Sequence, residues 1–491
     1  MTTFGDLRSL FQRPASRALW DELCGLLDAA DPSELVEHYG DYLGGHLRRW
    51  DPDVCRAPAR WIEALVQGDD VPQLLAIRSL TMLDQDVGDD EILELTTCPY
   101  LENLHTLELG YNRRVAWRRD RIDYGNVREL VTCAALSGLS KLRIVGQHLR
   151  PEAIQAILES PNMAGLHQLD LSYNDMGFLK RRDLEGIERT LRSLILRDVE
   201  LTVQGIEALV TSGILDGLEE LDLGYNQELE PLALLDVVEQ TDWGRLVRLG
   251  LAGCQIEMGV LTRLLEAQTL GQLEALDLSG NDIFTEHPET AAAVLTQAGH
   301  KLGGLRRLDL GATGLNDRAL EKIVESELIQ TLSQLGLRDN PIGRDGVHAL
   351  VRTELLANQE SLELQNTNIT DDGVALLVAS EQLGGVKQID LTGASLTDAG
   401  ARMLAEATLP ALEVITIDSN DVSAEGIQLL LGSASLPALR RVSANANRVN
   451  TYDDEYEGLR QVAESRQIDL EIGYGWGYGY EYDEMYDDIY E

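Results

Sequence analysis

The sequence predicts an α/β solenoid in which one strand–turn–helix unit is repeated along the chain. The phrase L-x-x-L-x-L-x-x-N-x-L recurs, and its clearest copy, L-E-A-L-D-L-S-G-N-D-I, spans Leu273 to Ile283. Fourteen copies are present, and eight of the thirteen steps between them are 27 residues long. A fixed period of about 20–50 residues is typical of a solenoid. The copies start at Ile77, Leu104, Leu139, Leu166, Leu191, Leu218, Leu246, Leu273, Leu305, Leu332, Gln359, Val386, Leu412 and Leu439.

Each copy predicts a short strand, a turn and an amphipathic helix. The first, fourth and sixth positions of the phrase are expected to point inward, and successive strands to stack in parallel at about 4.8 Å. Helix starts follow the phrase, where Thr370, Thr397 and Ser423 are expected to cap and Gly373, Gly400 and Gly426 to permit close helix–strand packing. The asparagine of the phrase is expected to bond the backbone of its turn and of the neighbouring repeat. It recurs as Asn112, Asn174, Asn226, Asn281, Asn340, Asn420 and Asn447.

The segments outside the repeats predict caps and a tail. Residues 1–74 contain three helical patterns, of which the second places Leu35, Val36, Tyr39, Tyr42, Leu43 and Leu47 on one face. They are expected to cover the open end of the first repeat. The repeats occupy 75–450, with loop insertions expected at the steps of 35 residues from Leu104 and 32 residues from Leu273. A C-terminal cap is expected at 451–472, with a final helix and edge strand, and an acidic Tyr/Gly-rich tail at 473–491.

These repeats resemble the leucine-rich repeat proteins, specifically the ribonuclease-inhibitor-like class with long repeats. The resemblance covers about three quarters of the chain and implies a horseshoe with a parallel β-sheet on its concave face and α-helices on its convex face. The stretch from Glu34 to Trp50 also looks like a short helical module that precedes such repeats in some bacterial proteins. Members of the class are mostly protein-binding scaffolds, and some are inhibitors, pattern sensors or GTPase activators. Fold alone does not decide among these activities.

Composition narrows the partner class. The net charge is −42, from 83 acidic and 41 basic residues, which argues against nucleic acid or an anionic membrane as the partner and favours a basic protein. No apolar run has the length of a signal peptide or of a membrane span. The five cysteines show no metal-binding spacing, and no cofactor-binding or catalytic motif is found. We therefore expect a cytoplasmic protein that is not an enzyme and has no cofactor.

Two sets of residues are candidates for the binding face. Acidic residues at the fifth position of the phrase, including Glu108, Asp170 and Asp222, are expected on the concave surface, where they either attract a basic partner or only keep the face soluble. Tyr111, Tyr173 and Tyr225 precede the asparagine in repeats two, four and six. They are expected along one edge of that surface, where tyrosine is well suited to recognition. The alternative is that they pack against adjacent turns.

A basic cluster interrupts this acidic chain. The long second repeat contains Arg113, Arg114, Trp117, Arg118, Arg119 and Arg121. The equivalent loop two repeats on contains Lys180, Arg181 and Arg182. These loops are expected on one edge, where arginine can grip a carboxylate or a phosphate. They are also a candidate docking site for the chain's own acidic tail, through charge and cation–π contact. The third alternative is a solvated loop.

The combined pattern predicts a scaffold that binds a protein partner through the concave face and its ascending edge. Tyr111, Tyr173 and Tyr225 with Glu108, Asp170 and Asp222 are the expected centre of the site. One alternative is a regulator of a small GTPase, of the activating type, in which an arginine-rich edge loop meets nucleotide phosphate. Another alternative is a self-assembling structural protein.

Overall fold

The computed structural model describes residues 4–113, 121–187, 190–240, 244–266, 268–452 and 454–473. The chain consists of two compact units, and the boundary between them lies between Cys254 and Gln255. Each unit is built from parallel strands and helices that alternate along the chain, so the expected α/β solenoid is confirmed in each.

In the first unit, β1 to β7 lie side by side in chain order, and every neighbouring pair is parallel. The strands are β1 Ser79–Leu83, β2 Thr106–Gly110, β3 Lys141–Val145, β4 Gln168–Asp170, β5 Ser193–Ile195, β6 Glu220–Asp222 and β7 Arg248–Gly250. The helices are α1 Phe4–Leu10, α2 Arg17–Asp28, α3 Pro32–Glu34, α4 Gly40–Leu47, α5 Ala59–Val66, α6 Asp89–Thr97, α7 Tyr124–Thr132, α8 Pro151–Glu159, α9 Val203–Ser212 and α10 Ala233–Gln240.

The second unit repeats the same order. Its strands are β8 Ala275–Asp277, β9 Arg307–Asp309, β10 Gln334–Gly336, β11 Ser361–Glu363, β12 Gln388–Asp390, β13 Val414–Thr416, β14 Arg441–Ser443 and β15 Asp469–Glu471. Its helices are α11 Met258–Glu266, α12 Pro288–Gln297, α13 Asp317–Val324, α14 Arg344–Leu350, α15 Thr370–Ala379, α16 Asp398–Glu406, α17 Ala424–Gly432 and α18 Asp454–Arg466. The final helix and strand lie where the sequence predicts them.

The core is a stack of inward-pointing leucines. In the repeat that starts at Leu273, the side chains at the first, fourth and sixth positions (Leu273, Leu276 and Leu278) are all buried. Full burial of one such side chain is worth about 1.5–3 kcal/mol. Because most repeats bury three apolar side chains at these positions, the periodic leucines and their aliphatic replacements are the main source of stability.

Buried asparagines join consecutive repeats, as expected. The Oδ1 atom of Asn226 accepts the backbone amides of Val199 and Leu201 from the preceding repeat at 3.0 and 2.9 Å. Its Nδ2 atom donates to the carbonyls of Leu196 and Leu223, both at 2.8 Å. One side chain therefore satisfies four buried backbone groups that would otherwise lack partners. Asn174 makes the same pattern of bonds.

The second repeat departs from this pattern, and the expectation for Asn112 is wrong. Gly110 has φ +100°, so the backbone turns one position earlier than in the other repeats, where the residue directly before the asparagine takes a positive φ. Asn112 is consequently exposed, and its Oδ1 atom accepts a hydrogen bond from Arg143. Its side chain bonds the side chains of Asp84 and Arg143 in the two neighbouring repeats, rather than backbone groups of the turns.

The helix starts differ in part from the prediction. Thr397 and Ser423 cap their helices through bonds to the amides of Ala399 and Glu425. Thr370 does not cap, because it lies inside α15 with φ +57° and the capping position is Ile369.

The space beside Gly400, at the start of its helix, is occupied by a carboxylate rather than by a strand. A Cβ atom at Gly400 would lie 2.4 Å from Oδ1 of Asp371 in the preceding helix. That same carboxylate accepts the amides of Thr397 and Gly400, both at 3.0 Å. The glycine therefore permits close approach between consecutive helix N-termini, and the expectation of helix–strand packing is corrected.

Two further local expectations fail. In the described part of the fourth repeat, the short turn Arg181–Asp183 takes the place of an α-helix. This is the repeat with a 25-residue step, so fewer residues are available for a helix. In the N-terminal helices, a π-helical turn at Leu35–Tyr39 rotates Val36 out of the buried face, and it is exposed.

The N-terminal helices end in a segment that pairs with the first strand. The amide of Ala57 donates to the carbonyl of Ser79 at 2.8 Å, and the amides of Arg78 and Ser79 donate to the carbonyl of Cys55. Trp20 is fully buried beneath this segment and donates its indole N–H to the carbonyl of Arg56. The outer edge of β1 is thereby covered.

Candidate partner-binding site

Charged residues of opposite sign occupy neighbouring strands on one face of the first unit. The register places Glu108 beside Arg143 and Arg143 beside Asp170. It also places Glu220 beside Arg248. Because side chains two residues apart on a strand share a face, these residues and Lys141, Ser193 and Asp222 form one surface. We call this surface the strand face.

The three acids predicted for the site are already engaged by basic side chains. Glu108 accepts a 2.7 Å bond from Lys141, and Asp170 accepts a 2.6 Å bond from Arg143. Asp222 accepts a 2.9 Å bond from Arg197. Glu108 and Asp170 are also buried. The strand face of the first unit is therefore a set of matched ion pairs rather than a uniform acidic strip.

The aspartates at the fifth position also have a structural role that the sequence analysis missed. The carboxylate of Asp170 accepts the backbone amide of Ser172 at 2.9 Å, and that of Asp222 accepts the amide of Gly224 at 2.8 Å. Asp277, Asp309 and Asp390 make the same bond two residues on. A short acceptor side chain at this position therefore closes the turn at the end of these five strands. The recurrence of Asp, rather than Glu, in L-D-L was the available clue.

The three predicted tyrosines do not share one environment. Tyr111 is only 3% exposed, and its hydroxyl donates to the carboxylate of Asp86. The early turn at Gly110 carries it inward, so it packs against an adjacent turn, which is the alternative that the sequence left open. Tyr173 and Tyr225 are half-buried, and both have positive φ. Burial raises the pKa of Tyr173 above its ordinary value.

Arg197 connects the two half-buried tyrosines and was not among the predicted site residues. It lies in the repeat between them, and the amide of Tyr173 donates to its carbonyl at 2.8 Å. Its guanidinium lies 4.6 Å from the centre of the Tyr225 ring, which is cation–π geometry. The Tyr225 ring covers the backbone of Gly253, where an added Cβ atom would lie 2.8 Å from it. We call Asp170, Tyr173, Arg197, Asp222 and Tyr225 the strand-end cluster.

Only some residues of the two basic loops lie in the part of the chain that the structure describes. Arg114, Trp117, Arg118 and Arg119 lie outside the described residues, while Arg113 and Arg181 are exposed. Beside Arg181, the loop is anchored by the buried side chains of Met176 and Leu179.

Phe178 is a feature of this loop that the sequence analysis missed. It lies between the two buried anchors, yet it is 75% exposed. The hydroxyl of Thr202, in the next repeat, donates to the carbonyl of Gly177 at 3.3 Å. A loop that is held in place on both sides thus presents an apolar ring to solvent. Phe178 is recognisable as a candidate contact residue only from its exposure in the structure.

Other chemistry is sparse in the part of the chain that the structure describes. No group of three or more His, Cys, Asp or Glu side chains there is placed to hold a metal ion. None of the helices in the described ranges has the length and apolarity needed to cross a membrane. The cysteines are free thiols, and burial raises the pKa of Cys24, Cys55 and Cys254 to about 12.

Comparison with known proteins gives remote structural matches. No protein-family model matches the sequence, and no curated protein does. An internalin from Listeria monocytogenes is 19% identical and aligns over 78% of this chain and 93% of its own, with a TM-score of 0.38. Rad7, solved in complex with Elc1 from yeast, is 12% identical over 89% of both chains, with a TM-score of 0.43. TLR13, solved in a complex with ssRNA13, is 14% identical over 82% of this chain and 57% of its own, with a TM-score of 0.38.

Proposed function

We propose that this protein is a non-enzymatic scaffold that binds a protein partner through the strand-end cluster and the loop edge beside it. The observation that carries the proposal is the alignment of Tyr173, Arg197 and Tyr225 across three successive repeats. Two half-buried rings supply apolar area at little entropic cost, and the guanidinium over the Tyr225 ring supplies a directional donor. Arginine and tyrosine are the residue types that most often dominate binding energy.

The charge of the partner is inferred from the ion pairs of the strand face and from the net charge of the chain. The acids of the strand face are paired within the chain, so a basic partner would have to compete with Arg143 and Arg197 for them. The net charge of −42 still favours approach of a basic protein, since long-range steering depends on the summed charge. We therefore propose a basic partner that is drawn by the whole chain and is recognised locally through Tyr173, Tyr225 and Arg197.

Several finer assignments belong to the same proposal. We assign the chain to the ribonuclease-inhibitor-like, bacterial-type class, and we place it in the cytoplasm. The division into a helical cap at 1–74, repeats at 75–450, a C-terminal cap at 451–472 and a tail at 473–491 also stays a prediction. The acidic tail remains a predicted competitor for the basic loops.

The test begins with an affinity capture from lysate and then measures the purified partner by calorimetry. Substituting Tyr173→Ala and Tyr225→Ala together should weaken binding at least about 30-fold, the equivalent of about 2 kcal/mol at a hot spot. The matched control is Tyr452→Ala, which removes an exposed tyrosine from the second unit. Tyr111 is changed to Phe rather than Ala, because its buried ring supports the fold.

The outcomes separate the alternatives. Equal affinity for the double variant and the control would refute the strand-end cluster as the site. A chain ending at Ile472 tests the tail: tighter binding after truncation supports competition by the tail, and unchanged binding refutes it. If no protein is enriched over a bead-only control from several lysates, the scaffold proposal itself fails.

A further inference from the structure

The strand ladder of the second unit is interrupted at one junction. β9 pairs with β10, and β11 pairs with β12, in each case in parallel. The sheet that ends at β10 and the sheet that begins at β11 share no strand pairing. Within this unit, the other consecutive strands pair without a break.

The first backbone bonds missing at this junction are those that a single carbonyl accepts at the intact junctions. At intact junctions, the carbonyl of the second position of the phrase accepts two backbone amides from the next repeat. Glu274 accepts Arg306 and Arg307 in this way, and Glu360 accepts Lys387 and Gln388. At the interrupted junction the equivalent carbonyl belongs to Ser333, and it accepts the side-chain amide of Gln359 instead.

Gln359 accounts for this exchange of partners. It occupies the first position of the phrase, which Leu305 and Leu332 hold in the two preceding repeats. Its side chain is only 7% exposed, and a buried amide must find an acceptor. By bonding to Ser333, it takes the acceptor that the amides of Glu360 and Ser361 would otherwise use.

A second junction in the same unit serves as a natural control. Repeats nine and eleven both lack the asparagine of the phrase and carry Thr313 and Thr367 there. Each threonine hydroxyl donates to the carbonyl three residues before it, at 2.6 Å. The backbone ladder into repeat nine is nevertheless intact, since the amide of Leu278 donates to the backbone carbonyl of Asp309 at 3.0 Å. The loss of asparagine alone therefore does not cause the interruption, and we assign it to Gln359, whose side chain takes the Ser333 carbonyl.

The interruption opens the strand side of the junction. At the intact junctions on either side, the amide of Leu310 donates to the backbone carbonyl of Gly336 at 3.0 Å, and the amide of Leu364 donates to the backbone carbonyl of Asp390 at 2.9 Å. The equivalent pair, the amide of Leu337 and the carbonyl of Glu363, makes no such bond among the described residues. Leu335, at the inward position of β10, is only half-buried, whereas its counterparts Leu308 and Leu362 are buried.

The other side of the junction stays closed. The amide of Asp339 donates to the carbonyl of Gln365, and that of Asn368 to the carbonyl of Ile342, both at 2.8 Å. Helices α14 and α15 also remain packed against each other. The repeats are therefore joined at the turns and helices and separated at the strands.

We propose that the junction between β10 and β11 is a hinge, at which the two strands separate and approach while the turns and helices keep contact. We expect water to reach the amide of Leu337 when the strands separate, because a buried backbone donor without a partner is costly. The hinge lies outside the strand-end cluster and does not depend on the proposed binding function.

Hydrogen–deuterium exchange of the full chain, resolved to single amides by fragmentation mass spectrometry, tests this hinge. The Leu337 amide should exchange at least about tenfold faster than those of Leu310 and Leu364, because an unpaired amide needs no local opening. Replacing Gln359→Leu should restore the ladder and slow Leu337 to within about threefold of Leu310. Gln359→Val, which copies Val386 at this position of the next repeat, is the second variant if the leucine does not fit.

The reciprocal change provides the control. Leu305→Gln should open the junction between β8 and β9 and speed exchange at Leu278 by a similar factor, whereas Val386→Leu should change nothing. The proposal is overturned if Leu337 in the unmodified chain is as protected as Leu310. It is also overturned if Leu337 stays fast in both Gln359 variants while circular dichroism shows them to be folded.

Discussion

Replacing Asn226 with alanine should cost about 3–5 kcal/mol of unfolding free energy. The side chain is fully buried and bonds four backbone groups, the amides of Val199 and Leu201 and the carbonyls of Leu196 and Leu223. A buried group left without its partner typically costs about 1–3 kcal/mol, and water entering the vacated space recovers part of the sum. Two amides and two carbonyls therefore give the stated range.

Asn112 is the matched control, because it holds the same position of the phrase but is exposed. Its principal side-chain bond is the one that Oδ1 accepts from Arg143, so Asn112→Ala should cost less than about 1 kcal/mol. The two substitutions are chemically identical, and only the burial and bonding of the amide differ between them.

The assay is equilibrium unfolding in urea, followed by far-ultraviolet circular dichroism. Repeat proteins can unfold in parts, so the slope of the transition must be compared as well as its midpoint. Hydrogen exchange at Val199 and Leu201 localises the effect. If both variants lost the same stability, or if Asn226→Ala lost less than about 1 kcal/mol, the structural role assigned to this asparagine would be refuted.

Three further predictions concern packing, helix contacts and thiol chemistry. Leu278→Ala removes a buried inward leucine and should cost about 2–5 kcal/mol in chemical denaturation; a loss well below about 1 kcal/mol would contradict the repeat register. Asp371→Ala removes the acceptor of two amides and of the Thr397 hydroxyl and should lower the melting temperature, whereas Asp372→Ala, next to it on the helix, should not. Burial holds the pKa of Cys254 at about 12, so iodoacetamide at pH 8 should leave it unmodified in the folded chain, and prompt alkylation in mass spectrometry would contradict this.

The repeat period was enough to predict the solenoid, because inward leucines at fixed spacing admit few other arrangements. It was not enough to predict the second repeat. There Gly110 turns the chain one residue early. The sequence matches the repeat phrase at Tyr111 and Asn112 all the same, so it does not reveal that these residues take a different conformation. A glycine also precedes Tyr225, where the phrase is followed normally, so the sequence offered no way to tell the two cases apart.

The candidate site was predicted only in outline. The acids at the fifth position do share one face of the strands, as predicted, because strand alternation determines which side chains lie on the same face. The pairing of Asp222 with Arg197, and the position of that guanidinium over Tyr225, depend on side-chain conformations in two adjacent repeats. Gln359 was counted as an ordinary copy of the phrase, since one polar residue among many leucines does not show that it competes with the backbone for Ser333.

The pairing of Cys55–Ala57 with the first strand has a consequence for how the chain folds as it is made. Residues 55–57 leave the ribosome before β1, so the first repeat emerges next to a finished edge rather than into water. We expect each later strand to add to a strand that has already formed, so that conformational entropy is lost one repeat at a time. Growth from a seed at the amino end would keep the newest apolar surface small throughout synthesis.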